Sequence, residues 1–510
     1  MGIAIIVCHV VFLTVTQAMA QRSDHTPDMT TSASLASSAS GNACTSTYTD
    51  TEHMDIFDAH AHIMSKVSAS QIISEMDKAG VSMLNLYPID GDNDASSLEA
   101  MSQYPGRFIA FVDTPDSPEP ATWFKQGQTF TAFVEAQLKT GKFSGIGETN
   151  LRYYHGESYT LHPDISIPPD DPLWLGLVDL SAKYHVPISF HFVPDDSDAN
   201  AAFERMLNHN KDATFIWAHL GFNNMPLNHA TLNNYLLRYP HLYFDTAGVQ
   251  GMHKAPPGAK QSNWDLLANQ SDNGRLNEDW KQFFATWNSR ILVASDAGGG
   301  SNGLGRWQNY SSNTADDAPA NAIGHWRGLF ANLEYNAARN IFSSNARTVL
   351  LKEPAHPYEY SVRSDGRCDP ISIRSNSSVS ALTFNPSTKA ITFAVASSNE
   401  TTGKAAITVP SSFASGNFTA SVDGQSVKST TIFNSTDTTI SLEYAGGIRS
   451  ITLKVEGNIK IKSSPSSPIF VPTSKSVPAA MPLPKKSKRN LLFTPKAHAQ
   501  KKLLKTTIRR

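Results

Sequence analysis

Residue types that hold divalent metal and move protons fall at a few places in this chain: Asp58-Ala59-His60-Ala61-His62, Glu148, His191, His219 and Asp296. His60 and His62 are two apart, so on an extended strand they project to the same side. Two imidazoles so placed can share one metal ion, and His191 can complete the nitrogen set. Asp296 can bind through one oxygen while its other oxygen accepts a proton from bound water. A divalent ion lowers the pKa of that water towards neutrality and makes hydroxide the nucleophile. His219 can ligate a second ion, or orient substrate and shuttle protons. Glu148 can bridge two ions or act as a further acid or base. Asp58 falls on the same side as His60 by alternation and reads as a ligand or as a group that orients one. A single His-x-His means little in a chain with 17 histidines, and a buried His or Asp at a strand end is commonly satisfied by backbone. The joint placement of these residues is the stronger signal.

That placement follows from the elements that must carry them. Short β-branched and aromatic runs recur at 54–59, 82–87, 107–113, 143–148, 186–192, 214–219, 242–245 and 290–296. Amphipathic stretches such as 68–79 and 172–184 lie between them. Strand–helix alternation implies right-handed parallel crossovers, and eight such units predict an α/β fold, a (β/α)8 TIM barrel. A doubly wound open sheet is the alternative, and it needs no particular count of eight. A final helix is expected over 340–350, with Ile341, Phe342, Ala346, Val349 and Leu350 on one face. A barrel presents its functional groups at the C-terminal ends of its strands. The candidate residues lie at the ends of strands one, four, five, six and eight.

These segments resemble the amidohydrolase superfamily of metal-dependent hydrolases. DAHAHI at 58–63 is similar to its first-strand His-x-His motif. SFHF at 189–192 and WAHLG at 217–221 are similar to its fifth- and sixth-strand histidines, and ASDAG at 294–298 to its eighth-strand aspartate. NIFSSNARTVL at 340–350 resembles the closing helix of the amidohydrolase 2 branch, and the likeness spans about residues 54–352. The resemblance implies a distorted barrel and one or two divalent ions, Zn2+ first and Mn2+ next. It makes His60, His62, His191 and Asp296 ligands, and His219 a ligand or a water-activating group. No lysine is apparent at the fourth strand, so the carbamylated-lysine type of two-metal site is not expected. Instead, GIGETNLRYY at 145–154 is similar to the Gly-x-Gly-Glu segment of TatD-type deoxyribonucleases, whose glutamate touches two metals. By that likeness Glu148 is a metal ligand and catalytic residue. The amidohydrolase 2 branch more often holds one metal and hydrolyses lactones or decarboxylates aromatic and unsaturated acids.

Neighbouring residues offer hints about substrate. Arg152 can pair with a substrate carboxylate or phosphate, or be an ordinary surface arginine. Tyr87, His155 and Asp245 are further candidates for the mouth. The glycine-rich stretch 298–305 is a loop that closes over a ligand or merely connects. Asp90, Asp92 and Asp94 are spaced like a calcium loop but lack its glycine and glutamate, and read as a solvated loop.

The 510 residues exceed one ordinary domain. Residues 1–20 read as a secretory signal peptide and 21–53 as a disordered Ser/Thr-rich spacer. The barrel is expected over 54–360. Short alternating runs between glycine- and proline-rich turns predict a small all-β sandwich domain over 371–460. It reads as a module that binds glycan, wall polymer or protein, or as a spacer. A Pro/Ser linker and basic tail fill 463–510. Residues 485–510 hold ten Lys and Arg and no acid, leaving 33 bases against 45 acids in the rest, a formal −12. That body excludes a general polyanion binder, while the tail offers a contact to a cell surface, anionic lipid or anionic polymer. No segment after residue 20 is apolar enough for a transmembrane span. Beyond the leader only Cys44 and Cys368 remain, and in an oxidising compartment they can pair. Three readings follow. The first is an exported metal-dependent hydrolase acting on a small organic acid, lactone, ester or amide. The second is a TatD-type two-metal phosphodiesterase, and the third is a non-catalytic surface-binding protein.

Overall fold

The computed structural model describes residues 44, 49–63, 67–88, 94–115, 121–153, 165–221, 227–249, 262–298, 307, 310–311, 323–364, 367–414 and 416–456. The expected leader, most of the spacer, His155, Asp90, Asp92, the 298–305 loop beyond its first glycine, and the linker and basic tail lie outside the described residues.

Eight parallel strands form one sheet in chain order: β1 (Ile56–Ile63), β2 (Val81–Pro88), β3 (Phe108–Val112), β4 (Gly145–Asn150), β5 (Pro187–His191), β6 (Thr214–Trp217), β7 (Leu242–Asp245) and β8 (Ile291–Leu292). All five residues of β3 and of β5 are buried, as expected where helices cover both faces of a parallel sheet. The regular part of β8 is only two residues long. The backbone beyond it still meets β1: Ala59 N–H donates to the Val293 carbonyl, Asp296 N–H to that of His60, and His62 N–H to that of Ala297. These bonds close the barrel.

Helices α1 (Ala69–Ala79), α2 (Ala95–Gln103), α3 (Gln128–Lys139), α4 (Pro172–Tyr184), α5 (Ser197–His209), α6 (His229–Arg238) and α7 (Glu278–Thr286) occupy the crossovers. Their starts are written locally. Ser68 and Gln71 cap α1 reciprocally, while Asp171, Asp196 and Asn228 cap α4, α5 and α6. The expected final helix runs from Tyr335 to Leu351, with a π-helical turn over Asn340–Ser344. Ala346, Val349 and Leu350 pack with Phe57, Ala59, Ile109, Phe111, Ile216 and Leu292 in one apolar cluster, so this helix stops the barrel at the end away from its mouth. Among the described residues no helix is long and apolar enough to cross a membrane.

The second region is an antiparallel two-layer sandwich of β9 (Tyr358–Ser364), β10 (Arg367–Ser375), β11 (Ser378–Asn385), β12 (Ala390–Pro410), β13 (Asn417–Val422), β14 (Gln425–Val427), β15 (Ser429–Phe433) and β16 (Asp437–Glu456). It begins at Tyr358, before the expected 371, because β9 pairs with β10. Two of its strands, β12 and β16, are far longer than the short runs expected. Their ladder breaks register between Ser397 and Thr402, opposite Ala445 and Gly447. The early half of β12 pairs with β11 and the late half with β10, and β16 divides likewise between β15 and β13. Each long strand therefore serves both layers around one core, which includes Ile373, Phe393, Ile407, Leu442 and Leu453.

The sandwich joins the barrel at the N-terminal end of β8. Asn288 Nδ2 donates to the Ala285 and Val379 carbonyls, and its Oδ1 accepts from Asn340 Nδ2 and the Tyr358 hydroxyl. Cys44 and Cys368 form a disulfide spanning 324 residues. In the chain-entropy account a closed loop of that size is worth on the order of 5 kcal/mol through the unfolded state.

Candidate metal centre

The strand ends bring the expected residues together at the C-terminal mouth. β1 runs further than expected, so His60 and His62 lie within it, and their Nε2 atoms stand 3.3 Å apart. Glu148 enters from β4. The preceding Gly147 has φ +119°, and a Cβ there would collide with the Ser189 carbonyl of β5. Only glycine fits that close approach, which sets Glu148 between its neighbours. His191 is the last residue of β5. His219 follows β6 at φ +60°, its N–H held by Asp245 Oδ1 at 2.9 Å. Asp296 follows β8, with Oδ1 3.1 Å from His62 Nε2.

Two triads result, His60/His62/Asp296 and Glu148/His191/His219, each with ligand atoms within 4.8 Å of one another. Glu148 faces both. Its Oε1 is 2.9 Å from His219 Nε2 and 3.6 Å from His191 Nδ1, and its Oε2 is 3.1 Å from His60 Nε2 and 3.7 Å from His62 Nε2.

The tautomers decide what this arrangement needs. His60 Nδ1 donates to Asp245 Oδ2 at 3.0 Å, and His219 Nδ1 donates to the Ala247 carbonyl at 2.8 Å. In the neutral rings the proton is therefore on Nδ1, and both Nε2 lone pairs point at the Glu148 carboxylate. Acceptor faces acceptor at about hydrogen-bond distance, and something positive must sit between them. Without a metal that role falls to protons. Burial opposes charge on His60, but Glu148 and Asp245 outweigh it and hold its pKa well above the ordinary value. Burial likewise opposes charge on His219, which Glu148 nonetheless lifts to about 9. Burial would raise Glu148, yet the charges on His60 and His219 hold it well below the usual carboxylate range. His191 is pushed down by burial. A divalent cation supplies the same positive charge at the same atoms. The 3.3 Å between the two Nε2 atoms also matches the roughly 3.3 Å separating two nitrogens on one tetrahedral zinc. His191 Nε2 and His62 Nδ1 are buried without a hydrogen-bond partner among the described residues. The donor set fits a metal.

Asp245, which the sequence offered only as a mouth candidate, fixes both histidines. One oxygen holds His60 Nδ1, and the other takes the N–H groups of His219 and Ala247. Carboxylate-to-imidazole support of this kind orients a metal ligand. Among the described residues Asp58 belongs to neither triad. It accepts from Ser295 N–H and Oγ, the Tyr310 hydroxyl and His60 N–H, so it ties β1 to the chain bearing Asp296. Burial pushes its pKa to about 6 against those hydrogen bonds. Arg152 is already neutralised: one guanidinium nitrogen lies 2.8 Å from Asp195 and 2.6 Å from Asp196. An anionic substrate would have to displace one of those carboxylates. Tyr87 is buried with its ring against His60, at 4.3 Å between centroids. Tyr153 packs edge-on to His191 at 4.6 Å, and no signal in the sequence singled it out.

No protein-family model matches the chain, and no curated protein matches it in sequence. Solved structures that align with it include the catalytic module of a family 98 glycoside hydrolase from Streptococcus pneumoniae TIGR4 in complex with the LewisY pentasaccharide blood group antigen. That match has 8% identity over 79% of this chain and 99% of that one, with a TM-score of 0.27. The maltogenic alpha-amylase AmyB from Thermotoga neapolitana aligns at 9% identity over 80% and 100%, with a TM-score of 0.22. A cycloisomaltooligosaccharide glucanotransferase from Paenibacillus sp. aligns at 10% identity over 79% and 55%, with a TM-score of 0.20. Likeness at this level carries no argument, and the site stands on its own geometry.

Proposed function

We propose that this chain is an exported metal-dependent hydrolase of the amidohydrolase-superfamily kind, holding two divalent ions, Zn2+ before Mn2+, and acting on a small lactone, ester, amide or related organic acid. The observation that carries this reading is Glu148, with one oxygen 2.9 Å from His219 and the other 3.1 Å from His60. A carboxylate so placed spans two ligand sets, as the resemblance of its segment to Gly-x-Gly-Glu implies.

When bound, a divalent ion supplies Lewis acidity, lowering the pKa of water in its reach and drawing charge from the substrate's oxygen. The chain's own residues do the rest. Asp245 and the Ala247 carbonyl hold His60 and His219 in single tautomers, so each presents one fixed nitrogen. Asp296 takes the proton from the attacking water and returns it to the leaving oxygen or nitrogen as the acyl bond breaks. Its backbone is pinned to the His60 carbonyl, which keeps the base beside the ligands. In a one-ion site His219 is instead the proton carrier.

The second reading, a two-metal phosphodiesterase, is favoured by the same glutamate and opposed by the −12 body, since a nuclease mouth needs positive charge for backbone capture. Metal content per chain, measured by plasma mass spectrometry on protein purified without chelator, tests the site. About two ions are expected, and the absence of any, with no rebinding of Zn2+ or Mn2+, sinks the enzyme reading. Lactones and aryl esters assayed beside a chromogenic phosphodiester decide the substrate class. Hydrolysis of the phosphodiester alone would replace the first reading by the second.

A further inference from the structure

The sandwich carries a groove of about 850 Å³ far along the chain from the mouth residues, lined by His356, Arg374, Asn376, Lys404, Lys428, Thr430, Ser441 and Glu443 among others. Its floor is the outer face of one layer. Arg374, Ala406, Ser441 and Thr430 lie opposite one another across β10, β12, β16 and β15. Lys404 and Glu443 form the adjacent row, with Lys428 just before β15. The residues between them, Ile373, Ala405, Ile407 and Leu442, are buried in the core, so alternation turns the polar set outward.

Charge in this groove is not self-cancelling. Lys404 pairs with Glu443 at 3.1 Å, but Arg374 and Lys428 make no ion pair among the described residues. The groove is thus positive on a body that is formally −12. The hydroxyls of Thr430 and Ser441 between those cations also make no hydrogen bond among the described residues. Among the described residues no Phe, Tyr or Trp lines the groove, so grip there comes mainly from charge and hydrogen bonding. Thr430 lies three strand spacings from Arg374 and Lys428 two residues further along, so Arg374 and Lys428 are about 16 Å apart, too far for one small anion to meet both.

We infer that this groove binds an acidic polysaccharide, with Arg374 and Lys428 taking carboxylate or sulfate groups several sugar units apart and Thr430 and Ser441 bonding the sugar hydroxyls between them. Bidentate and charge-assisted contacts suit arginine to such oxyanions. The inference is independent of the barrel's chemistry.

Lysine acetylation of the full chain, read residue by residue by mass spectrometry, separates this groove from the basic tail. Dextran sulfate or polygalacturonate is expected to slow labelling of Lys428 about tenfold at moderate salt, while neutral dextran leaves it unchanged. Protection by one of the two assigns sulfate or carboxylate as the group read. Unchanged labelling of Lys428 with protection only in 485–510 overturns the proposal, and so does equal protection by inorganic polyphosphate, which has no sugar. An R374A/K428A double variant, altered only at exposed positions of the sandwich, is expected to keep its metal content and lose about tenfold in affinity for the protecting polymer. Wild-type affinity in that variant also overturns it.

Discussion

The two ends of β8 hold two buried polar clusters a few residues apart, and they differ in completeness. At the lower end Asn288 uses both amide hydrogens and its oxygen on four partners from the barrel, the closing helix and the sandwich. At the upper end the lone pairs of His60 and His219 confront a carboxylate, and His191 Nε2 lies buried without a partner among the described residues. Both clusters cost desolvation. The lower repays it within the protein. The upper is balanced only by added positive charge. A satisfied cluster is structural, while a cluster short of cations is a site for one.

Substitutions can break this contrast. Asp296→Asn keeps the shape but removes the base, and about a thousandfold loss of hydrolysis is expected with near-wild-type melting. Turnover equal to wild type would refute its role. Asn288→Leu should do the reverse. It strands Tyr358 and Asn340, and about 3 kcal/mol of stability is expected to go, seen in denaturant midpoints, with metal content per folded chain unchanged. Asp245→Asn sharpens the comparison, because it leaves every ligand in place and alters only what holds them. A loss of metal affinity between about tenfold and a hundredfold is expected by chelator competition. The smallest effect lies at the surface, where Arg238 grips Glu204 through two 2.7 Å hydrogen bonds and holds its pKa below the usual range. A depressed carboxylate contributes stability above its unfolded pKa and loses it as pH falls through the folded value. Glu204→Gln should therefore cost roughly 0.5 kcal/mol near neutral pH and nothing in strong acid.

Much of this was legible in the sequence because parallel strands covered on both faces leave continuous apolar runs, and eight such runs can be counted. The metal-binding residue types at their ends could then be placed without knowing any distance. What distance decides was not legible. Asp245 looked like any aspartate at a strand end until its oxygens were seen on His60 and His219. Asp58 shares a face with His60 by alternation, yet a short hydroxyl and amide network from Ser295 and Tyr310 claims it first. Arg152 gave no sign that Asp195 and Asp196 would neutralise it. In the sandwich, the polar stretch SSNETTGK at 397–404 carries no apolar alternation. The ladder instead passes through it with a register break, because pairing with β16 resumes on the far side.

The disulfide between Cys44 and Cys368 has a further consequence. It makes the whole barrel one covalent ring, since every residue from β1 to the closing helix lies between the two cysteines. A single proteolytic cut anywhere in that ring opens it without separating it into pieces. The two halves of a nicked barrel stay tethered at their outer ends, free to hold their shape through the packing of the remaining strands, until a reductant releases them.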